Sequence, residues 1–405
     1  MAEESCSRRR SPGDTTRDCS RAGGGTRANA ISDISDDLLE LVLLHIGSPV
    51  SLIRAAATCK PWRRVIGGAG FLRRFRSIHG PHVLGHYFQL TDFSFFFPSP
   101  GAAVDVRAGV PSNLQYHAVL NDSRHGLLTF VRTNCGVIVV SNPFTRQRRE
   151  LHPPCRRACC HSRCLTAFLL DADADEPGRS SHMSNFRVLC VSLPHLCHGS
   201  SSSIVEAHVF SARDNRWLSL STMAVDDVVP PGADMYDPTH FMFVGRAGGL
   251  ICWSAKVNIN GVLLLDESTG EFSSFTLPGR LADINRLRMI GVDAGVMRLV
   301  RTVRDDFEVL RYARSSGDCV IERRVGLSQL AGGLEARPDR WWRLMEMAEA
   351  AGTAVHFVLS PGDKTNWVFT VDVENMKLER TQSDRFARRV FTYELPWPPT
   401  IKACL

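Results

Sequence analysis

The densest set of soft ligands in the chain is C-R-R-A-C-C-H-S-R-C at 155–164, where Cys155, Cys159, Cys160, His161 and Cys164 crowd together. Thiolate and imidazole together favour zinc. His152, His195, Cys197 and His198 lie close enough in sequence to add to the set. Structural zinc sites, however, pair two ligand couples set roughly a dozen or more residues apart. Here all the ligands fall in one Arg-rich run, so it reads as loop cysteines, with zinc as the alternative. Asp171, Asp173, Asp175 and Glu176 begin like a calcium loop. The glycine and the terminal glutamate that such a loop needs are not in place, so a solvated acidic loop is the reading. The chain has no G-x-S-x-G, no G-x-x-x-x-G-K-[ST] and no H-E-x-x-H. Asp226-Asp227 precede Pro230-Pro231 and read as loop. Nothing assembles into an acid, a base and a nucleophile. The expectation is a protein that catalyses nothing and needs neither cofactor nor metal.

Composition narrows the class. At 405 residues the chain exceeds one ordinary core, so two domains are expected. Its 44% hydrophobic and 22% charged residues are ordinary for a globular protein. No apolar run approaches the roughly 20 residues of a membrane span. The N-terminus lacks the apolar stretch of a secretory signal, and residues 1–28 read as a disordered leader. Thirteen cysteines without such a signal suit free thiols in a reducing compartment, cytoplasmic or nuclear. A net charge of +6 is modest. Its basic clusters, Arg8 to Arg10, Arg146 to Arg149 and Arg156-Arg157, are scattered and read as solvated loops, so neither nucleic acid nor membrane is an expected partner.

The most informative stretch is 31–66. Leu38, Leu39, Leu41, Val42, Leu43, Leu44 and Ile46 are interrupted only by Glu40 and His45. A surface helix needs one apolar stripe, whereas a helix apolar all round must be covered on several sides. The surrounding helical unit is too small to cover it alone, which points to a partner protein. Ser35 is the expected N-cap, Asp36 and Asp37 suit the first turn, and Gly47 is the expected stop. Ser48-Pro49 reads as cap and first residue of a second helix. A third, short helix holds Trp62 and Val65 and ends at Gly67-Gly68. A fourth, FLRRFRSIHG, places Phe71, Leu72, Phe75 and Ile78 on one face, away from Arg73, Arg74 and Arg76.

This stretch resembles an F-box, the adaptor-binding module of cullin–RING ubiquitin ligases. The matching pieces are I-S-D-D-L-L-E-L-V-L at 34–43, S-P-V-S-L-I-R-A at 48–55 and T-C-K-P-W-R at 58–63, in order and at the expected spacing. F-L-R-R-F-R at 71–76 is similar to the extension found in large plant F-box families. Most F-boxes have Leu-Pro where this chain has Ile34-Ser35, and loss of that proline implies reduced affinity for the linker. The resemblance implies docking on a Skp-type linker protein, and through it on cullin and RING subunits. The residues it would use are Ile34, Leu38, Leu39, Val42, Pro49, Leu52, Ile53 and Trp62. A helical bundle packed on its own C-terminal domain is the plainer alternative.

From about residue 82 the pattern turns to short strands. Strand pairs recur every 40–50 residues or so, at 125–154, 186–220, 241–278, 287–325 and 354–382, which suits the blades of a β-propeller. HVLGHYFQL (82–90) is expected to start the first blade, and VFTYELPWP (390–398) to supply a strand that closes the ring against it. RPDRWWRLMEMAEAAG (337–352) reads as a helix, from Pro338 near its start to Gly352 past its end. Residues 155–185 and 194–203 read as insertions. NPFTRQRRELHPP (142–154) is close to an element of the F-box-associated region of plant F-box proteins, whose repeats are propeller-like or kelch-like. A β-sandwich or an irregular stack of sheets is the competing architecture.

The expected fold is thus α+β and multidomain: a leader (1–28), a small all-α F-box of three to four helices (29–80), and a large all-β, propeller-like domain (81–405). The expected function is that of the substrate-recognition subunit of an SCF-type ubiquitin ligase, its β domain holding an unknown target protein. A non-enzymatic β-propeller scaffold or ligand-binding protein acting outside any ligase is the alternative.

Overall fold

The computed structural model describes residues 34–79, 82–89, 94–98, 118–133, 135–143, 145–154, 165–171, 182–193, 204–224, 241–255, 261–278, 287–304, 306–330, 345–351, 354–359, 366–383 and 389–394. The leader, the 155–164 cysteine run, residues 194–203 and Asp226-Asp227 lie outside the described residues. The chain divides into two compact units, Met1–Phe71 and Leu72–Leu405.

Among its described residues the first unit holds the helices α1 (Asp36–Leu44), α2 (Pro49–Thr58) and α3 (Lys60–Ile66). The side chain of Ser35 accepts from the Leu38 amide and caps α1, and Ser48 caps α2 from the Ser51 amide, with Pro49 in the first turn. Helix α1 stops at Leu44 with His45 as its C-cap, two residues before the expected Gly47. The His45 amide bonds the Val42 carbonyl, so the last turn is satisfied without a left-handed glycine. A fourth helix, α4 (Ala69–His79), runs across the boundary between the units. Phe71, Leu72 and Phe75 are buried as expected, whereas Ile78 is exposed.

The second unit is built of antiparallel sheets in a β-propeller-like arrangement. Its N-terminal strands are β1 (Val83–Gln89) and β2 (Ser94–Pro98). Five four-stranded meanders follow among the described residues. They are β3 (Ala118–Arg124), β4 (Leu127–Arg132), β5 (Ile138–Asn142) and β6 (Gln147–Leu151); β7 (Leu165–Leu170), β8 (Arg187–Ser192), β9 (Ile204–Ser211) and β10 (Arg216–Ala224); and β11 (Phe241–Ala247), β12 (Leu250–Ala255), β13 (Gly261–Asp266) and β14 (Phe272–Thr276). Next come β15 (Leu287–Asp293), β16 (Val296–Val303), β17 (Asp306–Ala313) and β18 (Asp318–Gly326), a short helix α5 (Leu327–Leu330), then β19 (Met345–Ala351), β20 (Ala354–Leu359), β21 (Asn366–Asp372) and β22 (Lys377–Ser383). The last strand, β23 (Arg389–Glu394), pairs with β1, so the two ends of the domain share one three-stranded sheet. Strand β23 also lies beside β3 and β19, the first strands of the first and last meanders.

The core lies between successive blades. In β8, Leu189 and Val191 join one cluster with Trp253 and Leu263 of the following blade, while Val188 and Cys190 join another with Val140 of the preceding one. The same alternation splits β13 into Leu263 and Leu265 on one side and Val262 and Leu264 on the other. Strands β12 and β13 are buried on both faces, which is why they read as continuous apolar runs rather than alternating ones.

A repeat hidden from the residue types emerges in the backbone. The third strands end at Asn142, Ser211, Asp266, Ala313 and Asp372. Four residues after each comes a left-handed residue: Arg146 (φ 58), Asn215 (φ 52), Gly270 (φ 74), Gly317 (φ 73) and Met376 (φ 49). In four of these turns the first side chain accepts amide bonds: Asn142 from Thr145, Ser211 from Asp214, Asp266 from Ser268 and Thr269, Asp372 from Glu374 and Asn375. The turn geometry is common; the residues that satisfy it are not.

One expectation is corrected here. Residues 345–351, read as part of a helix, form β19, paired to β20 from Met345↔Leu359 to Ala351↔Ala354. M-E-M-A-E-A-A favours a helix by propensity, but completing a four-stranded blade overrides that weak local preference. Residues 337–344 lie outside the described residues.

Candidate docking surface

Helix α1 explains how one short segment can be apolar all round. Leu39, Leu43 and Leu44 are buried, on one side. Leu38 is 58% exposed and Val42 59%, and Leu41 and Ile34 are exposed with them. The spacing 38, 41 and 42 puts three of them on one helical face, and Ile34 precedes the helix, just before its cap. The Ser35 cap and the cap bonds at His45 fix the ends of that face. Asp36 bonds Arg64 of α3 at 2.6 and 2.8 Å, but both side chains are solvent-exposed, so this pair adds little stability.

The eight residues expected to dock a partner therefore divide. Ile34, Leu38 and Val42 are exposed and available. Leu39, Pro49 and Leu52 are buried, with Leu52 fully enclosed. Ile53 and Trp62 are half-buried, and the Trp62 Nε1 is enclosed without an acceptor. Leu41 completes the exposed face. It was legible in the sequence, since it stands three residues after Leu38.

The β unit carries a second constellation, which residue types did not reveal. Arg246 of β11 reaches Asp122 of β3 at 2.5 Å and Glu267, just after β13, at 2.5 and 2.7 Å. Its Nη2 also donates to the Leu169 carbonyl of β7 at 2.6 Å, and the guanidinium lies 5.6 Å from the Phe168 ring centroid. Asp122 accepts in turn from the Leu169 amide at 2.8 Å. Burial opposes the charge on Arg246, but Asp122 and Glu267 outweigh it and hold the guanidinium protonated beyond its ordinary range. Nearby, Asp171 bonds His125 at 2.6 Å and Arg124 at 3.0 Å; the His125 bond first, then the Arg124 charge, hold its carboxyl below the usual range. Asp171 is thus ion-paired while its side chain stays 64% exposed. The network ties β3, β7 and β11 together and presents no nucleophile. Among the described residues no group of three or more His, Cys, Asp or Glu is placed to hold a metal.

The inner strands also share a device. Register shifts leave Asn121, Val244 and Ile290 out of the ladders of β3, β11 and β15. Each stands five residues before a left-handed turn glycine, Gly126, Gly249 or Gly295. The Asn121 Oδ1 uses its freedom to accept from the Ala167 amide of β7 at 3.0 Å. After the second of these bulges, a Cβ on Gly245 would lie 2.7 Å from the Met289 Cβ, so only glycine allows β11 and β15 to approach as they do.

Asp266 gives a pH test of the turn repeat. Burial works against its charge, but bonds from Ser268, Arg314 and Thr269 outweigh it and hold the carboxyl at about 2. A carboxyl depressed in the folded state stabilises above its unfolded value of about 3.9, and that contribution is lost as pH falls toward about 2. Urea unfolding at about pH 5 and pH 2.5 should show the parent losing about 2 kcal/mol more than Asp266→Asn over this interval. Identical pH profiles would refute the assignment.

No family model matches the chain, and no curated protein matches it. Solved structures resemble the chain at low similarity. TolB from Acinetobacter baumannii is 11% identical, with 82% of this chain and 73% of that chain covered and a TM-score of 0.40. The Aleuria aurantia lectin is 10% identical, covering 79% and 98%, at 0.38. AztD from Citrobacter koseri is 10% identical, covering 67% and 73%, at 0.36. At this level the likeness bears on no functional question. Among the described residues no helix is long and apolar enough to cross a membrane.

Proposed function

We propose that this chain is the substrate-recognition subunit of an SCF-type ubiquitin ligase. Its helical unit docks on a Skp-type linker and its β domain holds the target protein. The observation that carries the reading is the exposed face of Leu38, Leu41 and Val42 on a helix whose other side is buried, with exposed Ile34 just before its cap. A small unit keeps such a face apolar when a partner covers it. The F-box resemblance of 34–63 supplies the kind of partner. Ser35, which departs from the family pattern, acts as the helix cap. In this reading the chain makes and breaks no bond. It raises the effective concentration of target lysines near a ubiquitin thioester carried by another subunit.

The test is calorimetric titration of the full chain with a Skp-type linker, beside Leu38→Asp plus Val42→Asp. Both positions are exposed, so the variant should keep its helical circular dichroism. Sub-micromolar binding that weakens by about 100-fold or more in the variant is the expected result. A folded parent that binds no linker would overturn the proposal in favour of a propeller scaffold acting outside a ligase.

A further inference from the structure

Two basic runs that are far apart in sequence meet at neighbouring turns of the first two blades. Arg146 lies in the β5–β6 turn, with Arg148 and Arg149 following on β6; Arg213 lies in the β9–β10 turn and Arg216 opens β10. Arg149, three residues after Arg146, ties β6 to the β9–β10 turn. Its Nη1 donates to the Ala212 carbonyl at 3.3 Å and its Nη2 to the Asn215 Oδ1 at 2.6 Å. Its guanidinium also lies 5.1 Å from the Phe210 ring centroid and 5.8 Å from that of Phe186. A half-buried arginine thus holds β6, and with it the arginines at its start, beside the β9–β10 turn.

Around this joint arginines outnumber acids: Arg146, Arg148, Arg149, Arg213 and Arg216 stand against Glu150 and Asp214. Arg146, Arg213 and Arg216 are exposed, and no carboxylate of the described residues pairs with them. Of the two acids close in sequence, Glu150 is paired with Arg132 at 2.5 Å, while Asp214 accepts from the Ser211 hydroxyl at 2.8 Å and keeps its charge. Arg146 is held in the left-handed turn position, which sets the direction in which its chain leaves the blade. Leu218, two residues along β10 from Arg216, is exposed and adds apolar surface. Guanidinium groups favour carboxylates through paired N–H donors. A patch confined to two turns lacks the long basic face that a nucleic acid backbone demands.

We infer that the joint between the β5–β6 and β9–β10 turns is a docking site for an acidic protein segment, bound through Arg146, Arg213 and Arg216. This deepens the reading of the β domain as the target-holding part and rests on it.

The experiment measures fluorescence anisotropy of a fluorescein-labelled eight-glutamate peptide with the full chain at low salt. The parent, Arg213→Glu plus Arg216→Glu, and an equal-charge control, Arg54→Glu plus Arg73→Glu, are compared. The expected result is saturable, salt-sensitive binding, weakened about ten-fold by the first pair and unchanged by the control. Binding should also be unchanged in Leu38→Asp plus Val42→Asp, which separates failure of this site from failure of linker docking. Absence of peptide binding, or equal weakening in the control pair, would overturn the inference. So would tighter binding of a duplex DNA through the same two arginines.

Discussion

Replacing Arg246 with alanine should cost the β domain about 3–5 kcal/mol, the range seen when one partner of a buried ion pair is removed. The guanidinium occupies four acceptors at once: Asp122, both oxygens of Glu267, and the Leu169 carbonyl. Alanine would leave two largely buried carboxylates facing each other across the gap. Arg124 cannot take over readily, being 3.8 Å from Glu267 and already engaged with Asp171. The cost therefore comes mainly from the orphaned charges and less from the lost attraction. A second variant separates the two. Arg246→Met combined with Asp122→Asn and Glu267→Gln removes the charge while keeping volume and an amide oxygen for the Leu169 N–H, and should recover most of the loss. Denaturant unfolding followed by tryptophan fluorescence reads both. A loss below about 1 kcal/mol in Arg246→Ala would mean that the carboxylates reach water and that the network does not hold the three blades.

That network also shows where sequence reading ends. The caps at Ser35 and Ser48, the strand pairs and the closing β23 were legible because each depends on neighbours along the chain: a cap residue and its turn, or a run of alternating or continuous apolar residues. Arg246 and Asp122 are 124 residues apart, and nothing local in V-G-R-A or N-D-S-R marks them as partners. The basic run at 146–149 reads as a solvated loop for the same reason, since nothing local pairs it with the turn at 213–216. The blade repeat was visible only as a spacing. Its shared feature is a positive φ, and arginine, asparagine, glycine and methionine all fill that position. Residues 345–351 fail in the opposite sense, because local composition spoke clearly for a helix and blade completion overruled it. On α1, apolar residues all round announced a partner-facing side without saying which leucines belong to it. Burial assigns Leu38, Leu41 and Val42 to the outside and Leu39, Leu43 and Leu44 to the inside.

This division makes neighbouring leucines behave in opposite ways. Leu39→Asp should unfold the helical unit, whereas Leu38→Asp should leave it folded. Leu39 is 5% exposed, so a carboxylate there would be taken out of water. Burying an unpaired charge costs several kcal/mol, in addition to the roughly 2–5 kcal/mol lost with a core leucine. A unit of this size has little more stability than that to lose. Leu38 already faces water, so aspartate there should change stability by no more than about 0.5 kcal/mol, and a carboxylate near the start of α1 suits the helix dipole. Amide hydrogen exchange resolves the pair: protection across 36–66 should collapse in Leu39→Asp and persist in Leu38→Asp, with β12 and β13 protected in both. Retained protection in Leu39→Asp would mean that α1 can rotate its apolar faces, and the assignment of an outer docking face would fail with it. Loss of linker binding in Leu39→Asp would then carry no information about the interface, since an unfolded helix cannot dock. The interface is tested cleanly only through residues that the fold itself does not use.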